Sequence, residues 1–299
     1  LQRPSADAIL PRLVEHKDLP AASALMSMRW QIGMIAGPSL AGVLISIFGV
    51  PAGFILDILT YFLSLAILIR VRSVPPIEVN EKPAFSSLVA GVKYATSRKD
   101  LMGTYLVDLS AMFFAMPTAL FPFWADQVNA PWALGFFYAA GTIGSLLVTV
   151  TSGWVKSYTK HGRAIFLAAL GWGVAITLAG LVNNLALILL FLILAGASDM
   201  VSALFRSVLW NQSIPDEFRG RLAGVELISY SVGPLGGQTR AGFTAERTSL
   251  RTSVVSGGLL CIGFVCFFTA LLPDFRKYDS QTNKFAISEA KKRKTAPNN

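Results

Sequence analysis

The sequence has little charge and few cysteines, and each shortage excludes a class of protein. Only 14% of its 299 residues are charged, whereas 53% are hydrophobic and the mean hydropathy is +0.55. A water-soluble core of this length does not need so much apolar sequence, so we expect the chain to lie in a lipid bilayer. The 2 cysteines, Cys261 and Cys266, lie within one apolar run at a spacing that indicates neither a disulfide framework nor a metal site.

The sequence also lacks a catalytic constellation. Its 2 histidines, His16 and His161, fall in predicted loops, no serine has a partnered base, and no Cys/His spacing fits a metal. We therefore expect neither enzyme activity nor a cofactor. The net charge of +9 raises the question of nucleic acid, but the basic residues form short clusters between apolar runs and not a surface stripe. No nucleic-acid partner is expected.

Apolar runs long enough to cross a bilayer recur along the chain and predict an all-α membrane protein with about eight spans. Within the charge-free run 164–198, Asn183 and Asn184 divide two of these spans. The predicted spans cover about 24–48, 52–71, 101–124, 132–154, two helices from 164 onward, 222–245 and 252–272.

These spans predict five segments. In the linker, Phe85, Leu88, Val92 and Ala95 share one helical face, which suits either a helix on the membrane surface or one packed on protein. The predicted segments are the end of a preceding helix with a cytoplasmic loop (1–23), a helix hairpin (24–71), a cytoplasmic linker with an amphipathic helix (72–100), a six-helix bundle (101–273) and a solvated, basic cytoplasmic tail (274–299).

Basic residues indicate the orientation of the spans. All but three of the 26 Lys and Arg residues fall on the side that holds both predicted termini. By the positive-inside rule, both termini are therefore expected to be cytoplasmic. The three exceptions are Arg240, Arg247 and Arg251.

The first span is interrupted by a cluster of small or helix-breaking residues: Gly33, Gly37, Pro38, Ala41 and Gly42. In a soluble helix each interior Gly costs about 1 kcal/mol and Pro about 3 kcal/mol, whereas small residues let membrane helices approach closely. Three glycines recur at a fixed offset of 200 residues: Gly233, Gly237 and Gly242.

The offset predicts that four further helices, roughly 100 residues, should precede the first span, because the four spans between 101 and about 209 have no counterparts ahead of residue 24. A separate chain is one source of these helices. The alternative is a complete eight-helix protein.

The motif Gly33-x3-Gly37-Pro38-x2-Ala41-Gly42 resembles the fifth-helix antiporter motif of the major facilitator superfamily, with Ala41 in place of a glycine. The segment 214–221 resembles the P-x-x-x-R-G-R loop between helices ten and eleven of the enterobactin-exporter branch. The resemblance covers most of residues 1–272 and implies a partial major facilitator fold, corresponding to helices 5–12 of a twelve-helix plan. It makes five residues of the second motif candidates for a gating loop: Pro215, Asp216, Arg219, Gly220 and Arg221.

The same resemblance implies proton-driven export of a small amphiphilic molecule by alternating access. The substrate would be a siderophore such as enterobactin, or a drug, and the chain would lie in the inner membrane with the proton gradient in place of a cofactor. Multidrug or macrolide efflux and a truncated, non-transporting fragment stay open as alternatives. In one departure from the family, Ser157 and Tyr158 stand where the loop between helices eight and nine has Asp and Arg.

Charged residues at membrane depth are the remaining candidates for function. Each costs at least about 2.5 to 3.5 kcal/mol at a helix centre unless it faces a cavity or a partner. The four carboxylates among them are candidates for proton coupling, and the alternative for each is a bond to a neighbouring helix. Asp57 and Asp199 are predicted to lie deeper than Asp108 and Glu226. The residues in question are Asp57, Asp108, Asp199, Glu226 and Arg240.

Overall fold

The computed structural model describes residues 32–33, 37, 40–45, 47–69 and 84–295. This part of the chain is helical with short connections and contains no strand, which confirms the all-α fold class. Six of its helical segments are long and apolar enough to cross a membrane. The first predicted span, 24–48, lies largely outside the described residues. The predicted span 222–245 falls within a helix of 32 residues that is too polar to count among the six.

The helices are labelled in chain order. They are α1 (Val50–Leu68), α2 (Ala84–Ser97), α3 (Lys99–Phe114), α4 (Phe121–Gln127), α5 (Leu134–Val150), α6 (His161–Leu181), α7 (Leu185–Ser213), α8 (Asp216–Arg247), α9 (Leu250–Leu271), α10 (Pro273–Arg276) and α11 (Lys284–Thr295). The chain forms two compact units, Leu1–Glu81 with Trp132–Ala139 and Lys82–Pro131 with Ala140–Asn299.

In the first unit, α1 begins at a sharp turn. Gly49 has φ 78°, a left-handed conformation that favours glycine, and its amide donates to the Ile45 carbonyl at 2.9 Å. Helix α1 follows with Pro51 in its first turn. The chain therefore turns at Gly49, between the predicted spans 24–48 and 52–71, and α1 begins directly after it at Val50.

The second unit is built around α6 and α7, which run antiparallel. Asn184 caps α7 by accepting a hydrogen bond from the Leu187 amide at 3.2 Å, so the division predicted at Asn183 and Asn184 is confirmed. Helix α9 packs on α6 and α3, and α8 packs on α3. Fully buried branched side chains fill the spaces between these helices: Ile165, Ile176, Ile188, Val254 and Val265.

The predicted span 101–124 is interrupted. Helix α3 ends at Phe114, and a short 3-10 turn (Thr118–Leu120) follows Pro117 before α4 begins. Proline has no amide hydrogen and cannot continue the α3 hydrogen-bond ladder. The carbonyls at the end of α3 therefore need partners from other helices.

The linker helix α2 packs on protein. Ala95 is 4% exposed, and the Tyr94 ring stacks on Phe218 of α8 with centroids 4.2 Å apart. Val89 and Val92 remain exposed. These contacts agree with a helix packed on protein, and the membrane-surface interpretation stays a prediction.

The predicted solvated tail, 274–299, is partly packed against the other helices. Phe275 is 0% exposed and Tyr278 2% exposed, and helices α10 and α11 occupy most of this segment. Phe275 fills space beside two glycines, since a Cβ at Gly103 of α3 would overlap its ring and one at Gly162 of α6 would overlap its carbonyl. A solvated tail was predicted from the polar composition of the segment. Two buried aromatic side chains, Phe275 and Tyr278, anchor it instead.

Candidate functional site

Two oppositely charged side chains pair between α3 and α7. Asp108 of α3 forms an ion pair with Nη1 of Arg206 on α7. Asp108 is 5% exposed and Arg206 is 2% exposed. A lone buried charge carries a large desolvation penalty, so each partner makes the burial of the other tolerable.

A second carboxylate joins the same guanidinium. Nη2 of Arg206 lies 4.0 Å from Oδ1 of Asp199, whose side chain is 35% exposed. Both residues lie on α7, seven positions apart, and two helical turns bring them to one face. We call Asp108, Arg206 and Asp199 the carboxylate–arginine cluster. It combines one enclosed and one accessible carboxylate with one cation, so a single bound proton cancels its net negative charge.

Polar contacts extend the pairing of α3 with α7 away from the cluster. The indole N–H of Trp210 donates to the hydroxyl of Thr104 at 3.0 Å, and the Trp210 ring stacks on Tyr105 with centroids 5.2 Å apart. Thr104 lies one turn before Asp108 and Trp210 one turn after Arg206. The two helices are therefore joined at successive levels, which fixes where Arg206 points.

A second charged cluster lies at the start of α3, outside the spans. Arg98 makes two hydrogen bonds to the Asp100 carboxylate, at 2.8 and 2.7 Å, and donates to the Ser213 carbonyl at 3.2 Å. Burial lowers the pKa of Arg98, but the hydrogen bonds and charge of Asp100 outweigh it and leave the pKa raised. The Phe285 ring of α11 covers the guanidinium at 3.4 Å. This cluster therefore joins the ends of α3 and α7 to the C-terminal segment.

Arg240 has a structural partner. Its Nη2 donates to the Phe114 carbonyl at 2.8 Å, and the Trp172 indole donates to the next carbonyl, of Ala115, at 3.1 Å. These are the carbonyls left unpaired where α3 ends before Pro117. A cation is also favoured at a helix C-terminus by the helix dipole. This contact accounts for a charge at membrane depth without a role in transport.

The other two predicted carboxylates, Asp57 and Glu226, lie on helices other than α3 and α7. Asp57 belongs to the first unit, on an exposed face of α1. Glu226 is half-buried on α8. Proton coupling at either residue stays a prediction.

The repeated glycines differ in what surrounds them. A Cβ at Gly237 would overlap the Met112 carbonyl of α3, and one at Gly233 would lie 3.2 Å from the Met112 Cβ, so α8 approaches α3 closely here. A Cβ at Gly242 would meet no described atom within 4 Å. Close packing of α8 on α3 therefore accounts for Gly233 and Gly237, two of the three glycines that recur at the offset of 200 residues.

Of the glycine motif in the first predicted span, the structure describes Gly33, Gly37, Ala41 and Gly42. A Cβ at Gly42 would lie 3.1 Å from Gly135 Cα in the same unit, whereas no described atom lies within 4 Å of a Cβ at Gly33 or Gly37. Ala41 is exposed on its helix, and Pro38 lies outside the described residues. An antiporter role for this motif stays a prediction.

The segment predicted as a gating loop is shorter than expected. Helix α7 continues to Ser213, and α8 begins at Asp216 with Pro215 as its N-cap residue. Asp216, Arg219, Gly220 and Arg221 therefore lie in the first turns of α8. Helix–helix packing extended both helices into a charged stretch that by composition predicts a loop.

The sequence analysis did not single out Arg206 as a functional residue. The overlooked signal was the spacing between Asp199 and Arg206, since residues seven apart share one helix face. Asp108 was predicted to lie less deep than Asp57 and Asp199, whereas a partner from α7 encloses it.

Similarity to known proteins identifies the family of the chain. The family model described as "Transmembrane secretion effector", of the major facilitator superfamily, matches residues 1–294. The chain belongs to that family. The resemblance to the major facilitator superfamily is thereby confirmed, and the family indicates a membrane transporter and not an enzyme.

Relatives of this transmembrane secretion effector protein include two named enterobactin exporter EntS. The protein from Escherichia coli O1:K1 / APEC is 27% identical over 287 residues, which are 95% of this chain and 68% of the relative. The protein from Shigella dysenteriae serotype 1 (strain Sd197) is 28% identical over 279 residues, which are 92% of this chain and 67% of the relative. The chain is thus similar to siderophore exporters over most of its length.

Proposed function

We propose that this membrane exporter moves a small amphiphilic molecule by alternating access, driven by the proton gradient, and that the carboxylate–arginine cluster couples proton binding to transport. The observation that carries the proposal is the contact of Arg206 with two carboxylates of unequal exposure. Intramembrane charges are expensive and therefore mark functional sites by default.

The two carboxylates take different roles in this proposal. Asp108 is enclosed and holds the guanidinium, whereas Asp199 is accessible and lies at the longer distance of 4.0 Å. Proton binding to Asp199 removes its attraction to Arg206 and leaves the remaining pair neutral. A neutral cluster is cheaper to carry through a conformation in which the cavity is closed to water.

A catecholate siderophore is the proposed substrate. The support is the similarity to proteins named enterobactin exporter, at 27% identity over 95% of the chain. Multidrug efflux predicts instead that a hydrophobic cation is the better substrate.

The coupling proposal is tested with the full protein in proteoliposomes. Asp199→Asn should abolish accumulation driven by a pH gradient while leaving substrate exchange without a gradient intact, because the variant cannot bind and release the proton. The matched control is Asp126→Asn, which removes an exposed carboxylate of α4. Gradient-driven accumulation by the Asp199 variant at the wild-type rate would contradict the proposal.

The substrate is tested in the same vesicles. A catecholate siderophore and a hydrophobic cation are compared at equal concentration. We expect the catecholate to accumulate at least several-fold faster. Preference for the cation would support multidrug efflux, and transport of neither compound would support a non-transporting protein.

We also propose that the chain lies in the inner membrane with both termini cytoplasmic. The support is the clustering of all but three of the 26 basic residues on one predicted side. Labelling of intact cells with an impermeant maleimide checks it in a Cys266→Ser background, since Cys266 is an exposed native thiol. Ser249→Cys should react from outside and Lys277→Cys only after lysis.

A further inference from the structure

A long apolar groove runs between α6 and α7. Its volume is about 580 Å³, and it extends from Ala164 beside Phe205 at one end to Leu178 beside Phe191 at the other. Fourteen residues of helix rise about 21 Å, more than the roughly 15 Å that half of a bilayer's hydrocarbon core occupies. The groove therefore runs through the depth of one leaflet's acyl chains.

The chemistry of the groove changes along its length. Aliphatic and small side chains line most of it, with Ser198 as a polar exception near the middle, and Trp154, Tyr158 and Phe205 gather at the end where α6 begins. Trp and Tyr are enriched at the level of lipid headgroups. This end of the groove thus has the character of a membrane interface.

Two basic side chains continue the groove beyond its aromatic end. Arg163 lies one turn before Leu167, so helical spacing places it on the face of α6 that forms the groove, and Lys160 is the N-cap residue just before the helix. Both are exposed. Cations are unfavourable at a helix N-terminus unless an anion is nearby, and a bound anion there would be favoured.

The nearby carboxylate is already engaged. Asp279 accepts hydrogen bonds from the Thr159 hydroxyl at 3.1 Å and from the Gln281 amide at 3.0 Å. The hydrogen-bonded carboxylate keeps its negative charge, but Lys160 and Arg163 together outweigh it and leave the mouth of the groove with a net positive charge that a phosphate can balance.

We propose that this groove binds one anionic phospholipid, with an acyl chain along α6 and α7 and its phosphate near Lys160 and Arg163. An apolar channel of one leaflet's depth, an interfacial aromatic end and a basic mouth together match such a lipid from tail to headgroup. The site does not include the carboxylate–arginine cluster, so it stands independently of the proposed transport mechanism.

Native mass spectrometry of the full protein tests the site, with phosphatidylglycerol and phosphatidylcholine of identical chains as probes. We expect one phosphatidylglycerol to be retained at least five-fold more than phosphatidylcholine. The double variant Lys160→Gln/Arg163→Gln should lose this preference and keep weak retention of both lipids. The matched control is Arg247→Gln/Arg251→Gln, which removes two exposed charges at the ends of α8 and α9.

A second variant tests the acyl-chain site. Ala197→Trp places an indole in the groove and should abolish retention of both lipids, whereas Leu259→Trp on the exposed face of α9 should not. Equal retention of the two lipids by the wild-type protein, or an unchanged preference in the double charge variant, would overturn the proposal. Displacement of the lipid by a transported substrate at low concentration would assign the groove to the substrate instead.

Discussion

Asp108 and Arg206 form an ion pair between α3 and α7 in which the two residues are 5% and 2% exposed. This ion pair joins two helices that are far apart in sequence. Because Arg206 also faces Asp199, the same guanidinium contacts one buried carboxylate and one accessible carboxylate. The contribution of the Asp108–Arg206 pair to the stability of the protein can be measured separately from transport.

Removing one partner of this pair should be far more damaging than removing both. Asp108→Asn or Arg206→Gln leaves a buried charge with a weaker partner and should cost about 3 to 5 kcal/mol, whereas Asp108→Asn/Arg206→Gln should cost less than the sum of the single changes. The thermal midpoint of the purified protein measures this. Strictly additive losses would show that the two side chains are not coupled.

The repeated glycines offer a matched pair of substitutions on one helix. Gly237→Ala should destabilise the packing of α8 on α3 by about 1 to 3 kcal/mol, because the new Cβ overlaps the Met112 carbonyl. Gly242→Ala meets no described atom within 4 Å and should be neutral or stabilising by up to about 1 kcal/mol. The thermal midpoint and the transport rate should both be lower for Gly237→Ala than for Gly242→Ala. An equal loss of stability in the two variants would refute the packing role of Gly237.

Because the C-terminal segment packs on the other helices, a substitution at a buried residue in it should lower the stability of the protein. The same substitution in a solvated tail would have no such effect. Phe275→Ala should cost about 3 to 5 kcal/mol, because the ring is fully buried. Phe267→Ala, on an exposed face of α9, serves as the control for loss of an aromatic ring. Protease protection of residues 284–295 should fall in the first variant and stay unchanged in the second.

Tyr278 predicts an alkaline limit to stability. Burial raises the pKa of its phenol to about 12, above the usual value near 10. The folded state therefore holds a proton that the unfolded state releases, and stability present below pH 10 should be lost as the pH rises toward 12. Tyr278→Phe should make the thermal midpoint less sensitive to pH in this window, whereas Tyr158→Phe, which removes an exposed phenol, should leave the decline unchanged. An identical decline in the Tyr278 variant would exclude this cause.

Much of the helical plan could be predicted because hydropathy and breaker residues act locally. Gly49 and Asn184 mark helix boundaries in the sequence, and both do so in the structure. Segment 214–221 was predicted as a loop because its polar residues carry no local sign of burial. Packing against other helices, including the stacking of Phe218 on Tyr94, overrides that local preference.

The sequence by itself determined that the chain lies in a membrane, and its motifs indicated the superfamily, because transfer free energies sum along each apolar run and a motif needs only its own residues. It also identified Asp108 and Asp199 as costly charges. Only the tertiary structure decided that Arg206 faces both, that Arg240 caps α3 and that Phe275 is buried. The spacing of Asp199 and Arg206 places them on one face of α7, but which helix meets that face depends on how each helix is rotated about its axis against a partner distant in sequence.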